Sequence, residues 1–182
     1  MTKRWGMVID LHRCVGCQAC TVACQEGNHV PPGQFWNLVV TVGPIGTYPQ
    51  VGTYYLSRPC MHCAKPPCVD GCPTRASHIR EDGLVLVDED KCVGCGYCIV
   101  ACPYGVRYYN DKLGIAQKCT FCVDRLAAGQ LPLCVSTCPQ KARFFGDLGD
   151  ASSEVYRLVH TEHAVTLLPE YGTEPSVYYI WP

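Results

Sequence analysis

The sequence predicts an α+β fold of small hairpins and short helices, built as two copies of one cysteine-rich unit with one copy inserted in the other. Three observations predict it. Sixteen of the 182 residues are Cys, and they sort into four groups of four with none left over. The groups share closely related spacings. The flanking chain repeats as well: the apolar run Met7, Val8, Ile9 before Cys14-Val15-Gly16-Cys17 is echoed by Leu84, Val85, Leu86, Val87 before Cys92-Val93-Gly94-Cys95.

Composition narrows the function classes. So many Cys beside 17 Gly, 14 Pro and only 17% charged residues imply that cross-links or metals, not a large apolar core, hold the fold. Fifteen basic and 16 acidic residues leave a net charge of -1, which offers no electrostatic footprint for nucleic acid or anionic lipid. No apolar run approaches the roughly 18 to 20 residues of a membrane helix. Asp10 ends the first apolar segment after a few residues, so no signal-peptide core is expected.

The groups are Cys14, Cys17, Cys20, Cys24; Cys60, Cys63, Cys68, Cys72; Cys92, Cys95, Cys98, Cys102; and Cys119, Cys122, Cys134, Cys138. The first and third read C-x2-C-x2-C-x3-C, the second C-x2-C-x4-C-x3-C, the fourth C-x2-C-x11-C-x3-C. The third group, ending in Pro103, matches the bacterial ferredoxin run, in which three near thiolates hold one [4Fe-4S] cube and the fourth ligates the partner cube. Gly16, Gly94 and Gly96 suit a loop that wraps tightly and turns its N–H groups inward. Disulfides fit poorly, because Cys two residues apart in a tight turn are badly placed to bridge. Zinc ribbons use C-x2-C pairs but join them differently. The spacing therefore points to paired iron–sulfur clusters.

The elements follow in order. A strand over Met7 to Leu11 feeds the first loop, and helical turns are expected at Cys20–Cys24, Cys98–Cys102 and Phe121–Ala128. After a turn at Pro31, Pro32 and Gly33, Phe35–Val42 and Thr53–Leu56 read as a hairpin with a long loop. Ala76–Val87 reads as a hairpin around Asp82-Gly83, so groups two and three form one two-cluster unit. Groups one and four are left to pair across it. The expected outer module is then 1–50 and 113–150, and the inserted module is 51–112. In 151–182, Asp150 or Ser152 caps a helix carrying Val155, Leu158 and Val159, and Leu167–Trp181 reads as an aromatic arm gripping another subunit.

Cys14-Val15-Gly16-Cys17-Gln18-Ala19-Cys20, Arg58-Pro59-Cys60-Met61-His62-Cys63, Cys98-Ile99-Val100-Ala101-Cys102-Pro103-Tyr104-Gly105 and Lys118-Cys119-Thr120-Phe121-Cys122 go beyond generic ferredoxin spacing. With them the chain resembles the four-cluster electron-transfer (beta) subunit of the dimethyl sulfoxide reductase family of molybdopterin oxidoreductases. Polysulfide, thiosulfate, tetrathionate and arsenate reductases are in that group. The resemblance implies that Cys14, Cys17 and Cys20 share a cluster with Cys138, and Cys119, Cys122 and Cys134 with Cys24. It likewise implies that Cys60, Cys63 and Cys68 pair with Cys102, and Cys92, Cys95 and Cys98 with Cys72, giving four [4Fe-4S] clusters. Cys24 departs from the pattern, being followed by Gln25 rather than Pro.

The resemblance further implies a non-catalytic subunit of anaerobic respiration. It would relay single electrons between a molybdopterin catalytic subunit and an integral membrane quinone-reactive subunit. Such a subunit associates with the membrane through its partners, on the periplasmic or outer face, with the cytoplasmic face as the alternative. A free-standing polyferredoxin carrier is the competing function, and a zinc scaffold a third. Sixteen thiolates with four 2+ cores would carry the formal charge to about -9, a field that Arg13, Arg58, Lys91, Lys118 and Arg125 are expected to moderate. His62 is expected to pack or orient rather than ligate, and Tyr97, Tyr104, Tyr108 and Tyr109 to shield.

Overall fold

The computed structural model describes residues 3–182. Its first strand, β1 (Trp5–Asp10), is almost wholly buried because it lies at the centre of a three-stranded sheet. On one side β8 (Arg143–Asp147) runs antiparallel to it, with Val8 opposite Phe144. The chain thus returns, directly after the last Cys, to the strand that precedes the first. On the other side β9 (Val177–Ile180) runs parallel, with Val8 opposite Tyr178.

That third strand packs part of the segment expected as an interface arm into the chain's own sheet. Val177 and Tyr179 have no exposed surface, each burial contributing about 1.5–3 kcal/mol, while Tyr179 Oη donates to the Ser57 carbonyl at 2.8 Å. The alternation of Val177 and Tyr179 points one face of the segment into the core, which its Pro and Tyr content obscured. Ser176 also ties this strand to the second cysteine loop, its N–H donating to the Met61 carbonyl and its hydroxyl to that of His62, at 2.8 and 2.9 Å.

Three hairpins complete the strands. β2 (Asn37–Thr47) and β3 (Gln50–Pro59) pair antiparallel, joined by Tyr48 and Pro49 alone. The expected long loop is absent because a register shift between Val42 and Ile45 keeps the Gly- and Pro-containing stretch in the ladder. β4 (Ser77–Ile79) and β5 (Val85–Val87) form the hairpin expected around Asp82-Gly83. β6 (Tyr108–Asn110) and β7 (Ile115–Gln117) form another, turning at Gly114, that the sequence reading missed. The residue limits expected at 50/51 and 112/113 each fall inside a hairpin.

The helices are short. α1 (Ala19–Gly27), α3 (Tyr97–Val100) and α4 (Val123–Ala127) correspond to the expected turns. α2 (Pro67–Asp70) and α5 (Leu133–Ser136) each follow a Pro that pre-sets the backbone and carry the third Cys of their groups. α6 (Glu154–Thr161) buries Val155 and Leu158 against the sheet, but its N-cap is Ser153, neither Asp150 nor Ser152. Asp150 instead accepts from the Ser152 N–H and hydroxyl, so its side chain is engaged in the preceding turn. Met7, Ile9, Leu11, Met61, Leu84, Phe121 and Tyr179 share one core with Cys20, Cys60, Cys63, Cys119 and Cys134, whereas Cys98 of the third group packs with Cys68, Val85 and Ala116 in a second cluster.

Candidate functional site

The residue before the second Cys of each group has a left-handed backbone: Gly16 φ 68°, His62 φ 42°, Gly94 φ 66°, Phe121 φ 56°. This turn sends consecutive Cys side chains toward one space. Gly adopts it freely, whereas in His62 and Phe121 it costs about 1–2 kcal/mol each in backbone strain. The two strained side chains face each other, stacked at 3.8 Å between ring centroids and 24° between planes. The stack continues edge-on from Phe121 to Phe145 and then face-on to Trp5, each step 5.2 Å.

The thiols gather by fours. Cys60, Cys63, Cys68 and Cys102 line one cavity, walled by Pro66, Pro67, Pro103 and Tyr104. Cys14, Cys17, Cys20 and Cys138 line a second. Cys72, Cys92, Cys95 and Cys98 line a third. Around the fourth space, Cys119 and Cys24 each feel the charge of Cys134, and the Asn28 Nδ2 lies 3.7 Å from Cys24 Sγ and 3.8 Å from Cys122 Sγ. Among the described residues no three His, Cys, Asp or Glu side chains are close enough to hold a single metal ion. Tetrahedral zinc needs four sulfurs about 2.3 Å from one point, whereas these thiols surround volumes.

Exposure differs between the sets. Cys17 and Cys95 are exposed, while Cys24, Cys119, Cys122, Cys134, Cys60, Cys63 and Cys68 are all buried. Burial pushes the Cys24 and Cys63 thiols up to about 12 and the fully enclosed Cys119 well above its ordinary range, with neighbouring Cys adding to the effect. Cys72 goes the other way: a slight burial cost is outweighed by hydrogen bonds from Ser77 and Thr74. Such thiols hold their protons in apolar walls until positive metal displaces them, which fits a cluster that couples metal loading to proton release.

Two arginines missing from the sequence reading stand among the thiols. Arg107 is 6% exposed; its Nη2 donates to Cys68 Sγ at 2.9 Å and to Ser77 Oγ at 3.0 Å. Arg143 is 5% exposed; its Nη2 lies 3.6 Å from Cys20 Sγ and donates to Asn37 Oδ1 at 2.8 Å and to Ser57 Oγ. Burial opposes both charges, but the surrounding thiolates more than compensate: Cys68, Cys60 and Cys98 around Arg107, and Cys134 and Cys20 around Arg143. The Arg107 Nη1 is buried with no protein partner, an orphaned donor beside the Cys60 cavity that sulfide or thiolate would satisfy. A signal for both lay in the sequence, since each stands five residues after Cys102 or Cys138.

Of the residues expected to moderate the field, Lys118 acts on the Cys68 thiol, and the others lie elsewhere. Arg13 pairs with Asp10 and Lys91 with Asp88 near the surface, and Arg125 donates to the Leu131 carbonyl. Lys118 is buried, donating to the carbonyls of Val85 and Cys119. Arg58 Nε is buried without a partner, in a separate cavity with Gln34 and Tyr108. Tyr104 and Tyr97 border cysteine cavities; Tyr108 bonds Gln117, and Tyr109 is partly exposed. His62 Nδ1 accepts the Val85 N–H at 3.1 Å, and burial holds its ring well below the ordinary His range, so it is neutral.

Comparison with known proteins agrees with this geometry. Residues 51–148 match the family described as 4Fe-4S dicluster domain, and residues 11–27 match one described as 4Fe-4S binding domain. The B subunit of tetrathionate reductase from Salmonella typhimurium is 47% identical over 97% of this chain and 72% of its own length. The corresponding B polypeptide of polysulfide reductase from Wolinella succinogenes is 40% identical over 99% of this chain and 95% of its own. The B subunit of selenate reductase from Mesobacillus selenatarsenatis is 41% identical, covering 97% and 72%. The chain therefore belongs to the 4Fe-4S dicluster family, alongside the B subunits of tetrathionate, polysulfide and selenate reductases.

Proposed function

We propose that this chain is the iron–sulfur electron-transfer subunit of a respiratory oxidoreductase, carrying four [4Fe-4S] clusters between a molybdopterin catalytic subunit and a membrane quinone-reactive subunit. It performs no substrate chemistry itself. The ligands are Cys14, Cys17, Cys20 with Cys138; Cys24 with Cys119, Cys122, Cys134; Cys60, Cys63, Cys68 with Cys102; and Cys72 with Cys92, Cys95, Cys98. When bound, the clusters supply one-electron chemistry that amino-acid side chains lack.

The observation that carries this reading is the order of the thiol sets. Cys20 and Cys24 share α1, linking the Cys14 set to the Cys119 set. Cys119 feels the charge of Cys60, linking the Cys119 set to the Cys60 set. Cys68 lies in α2 and Cys72 just beyond its end, linking the Cys60 set to the Cys92 set. The series therefore has two middle stations, buried but for the half-buried Cys102, and two ends, each with one exposed Cys, Cys17 and Cys95. At both ends an exposed Val, Val15 or Val93, stands beside the first Cys, so each end offers an apolar rim for a partner subunit.

The same reading treats the chain as two ferredoxin-like modules, the outer from 1–50 and 113–150 and the inserted one from 51–112. The return of β8 to β1 supports it, as does the β4–β5 hairpin between groups two and three. The β2–β3 and β6–β7 hairpins, straddling the limits, act as connectors. No helix among the described residues is long and apolar enough to cross a membrane, so attachment runs through the partners, with the outer face favoured.

The test is iron, acid-labile sulfide, zinc and molybdenum analysis of the anaerobically purified complex, with electron paramagnetic resonance during reductive titration. About sixteen irons and sixteen sulfides per chain, with molybdenum, are expected. Zinc with little sulfide would overturn the reading. Molybdenum-free chains with full iron would favour the free-standing carrier.

A further inference from the structure

We infer that Arg107 and Arg143 are equivalent charge bridges, each spanning two neighbouring thiol sets, and that each raises and couples the reduction potentials of its two clusters. The inference rests on the four-cluster reading above. Arg107 bonds Cys68 of one set and also Ser77 Oγ, whose residue donates its N–H to Cys72 Sγ of the next, and its charge acts on Cys98 there. Arg143 lies 3.6 Å from Cys20 of one set and stands on β8, packed against the α5 that carries Cys134 of the next, a thiol on which its charge acts. Cys68, Cys98, Cys20 and Cys134 are each the third Cys of their group.

The correspondence extends to the backbone. Arg107 follows Cys102 by five residues and Arg143 follows Cys138 by five, each leading out of the second cysteine group of its proposed module. Side-chain oxygens, not carboxylates, hold both guanidinium groups: Ser77 for Arg107, and Asn37 with Ser57 for Arg143. Among the described residues neither arginine forms a salt bridge with Asp or Glu. A buried guanidinium without a carboxylate is costly unless another anion balances it. Among the described residues no carboxylate balances either charge, so the cluster-bound thiolates on either side would do so.

The consequence is electrostatic. Reduction adds one negative charge to a cluster, and a fixed cation in a low-dielectric wall favours that state. Because Arg stays charged at every accessible pH, the effect is permanent. Because each guanidinium stands beside a thiol of one set and its charge acts on a thiol of the next, removing it moves two potentials together. The middle gap, between the Cys119 and Cys60 sets, has no arginine. Loss of Arg107 should leave the outer pair unmoved, and loss of Arg143 the inner pair.

The experiment is an electron paramagnetic resonance titration of the intact complex carrying Arg107→Gln, Arg143→Gln, Arg107→Lys or Arg143→Lys, with iron content measured on the same samples. Each Gln variant should lower both midpoint potentials of its own pair and leave the other pair at wild-type values; each Lys variant should stay close to wild type. Full iron with unmoved potentials, a fall confined to one cluster, or a uniform fall in all four would overturn the bridge while leaving the four-cluster reading intact. If the Gln variants fail to load iron, the Lys variants decide: a pair that keeps its potentials supports the bridge, and a pair that loses them overturns it.

Discussion

The gaps between successive thiol sets are built in two ways. Within each proposed module the gap is polar, a guanidinium set beside Cys68 or Cys20 and anchored by Ser77 or by Asn37 and Ser57. Between the modules the gap is aromatic, with His62 stacked on Phe121 and the ladder extending through Phe145 to Trp5. The buried Lys118, next to Cys119, bonds carbonyls, and its charge acts on Cys68. On the four-cluster reading charge and packing thus divide the work: arginines would set the energy of electrons within a pair of clusters, and rings would hold the pairs together. Damage to a bridge should then move potentials, and damage to the seam should cost stability.

The largest effect is expected where the seam meets a ligand. Cys119→Ser should remove the cluster shared with Cys24, Cys122 and Cys134, taking roughly a quarter of the iron and lowering the thermal midpoint steeply, since metal binding is folding energy. Cys95→Ser, at an exposed end, should lose the same amount of iron but far less thermal stability. Iron assay and thermal unfolding of both variants give the comparison; equal losses of stability would erase the distinction between middle and end.

Next is the seam itself. Phe121→Ala deletes a fully buried ring, and about 3–5 kcal/mol of stability should go with it. His62→Ala should cost less, because its ring is smaller and its Nε2 already lacks a partner. The double variant should show coupling of about 0.5–1.5 kcal/mol in denaturant titrations. No coupling would mean that the stack fills space without joining the modules.

How far the sequence carried depends on whether a feature repeats. Cys spacing is periodic and survives reading by eye, so the four quartets, the strand before each C-V-G-C loop and the Asp82-Gly83 hairpin were all legible. Arg107 and Arg143 were not, because a single basic residue in sequence ordinarily means a solvated surface; only their shared offset from the last Cys of a module marks them. α2 and α5 were missed because four residues are too few for helical periodicity, leaving Pro66 and Pro132 as the sole signals. β9 was misread because Pro175 and three aromatic residues suggested an extended arm, while only Val177 and Tyr179 carried the alternation of a buried strand. Its parallel partner is β1, some 170 residues earlier in the chain, and no local pattern encodes so distant a pairing.

The smallest effect concerns a polar tether across the same seam. Trp5 on β1 donates its N–H to the Asp82 carbonyl and its indole N–H to Asp82 Oδ2, both at 3.1 Å, pinning the β4–β5 turn to the central sheet. Arg80 forks onto the same carboxylate at 2.9 and 2.5 Å, and that hydrogen bonding holds the Asp82 carboxyl below the usual range. Asp82→Asn keeps the shape and the indole acceptor but loses the charge, so about 0.5–1 kcal/mol should be lost near neutral pH. The sign with pH follows from the lowered value. A carboxylate that titrates lower when folded stabilises above its unfolded pKa of about 3.9, and loses that contribution as pH falls through the lower folded value. Denaturant midpoints measured from pH 6 down should therefore converge for the two proteins at acid pH. An Asn variant as damaging as Phe121→Ala, or a gap that widens in acid, would mean that the seam is held by charge after all.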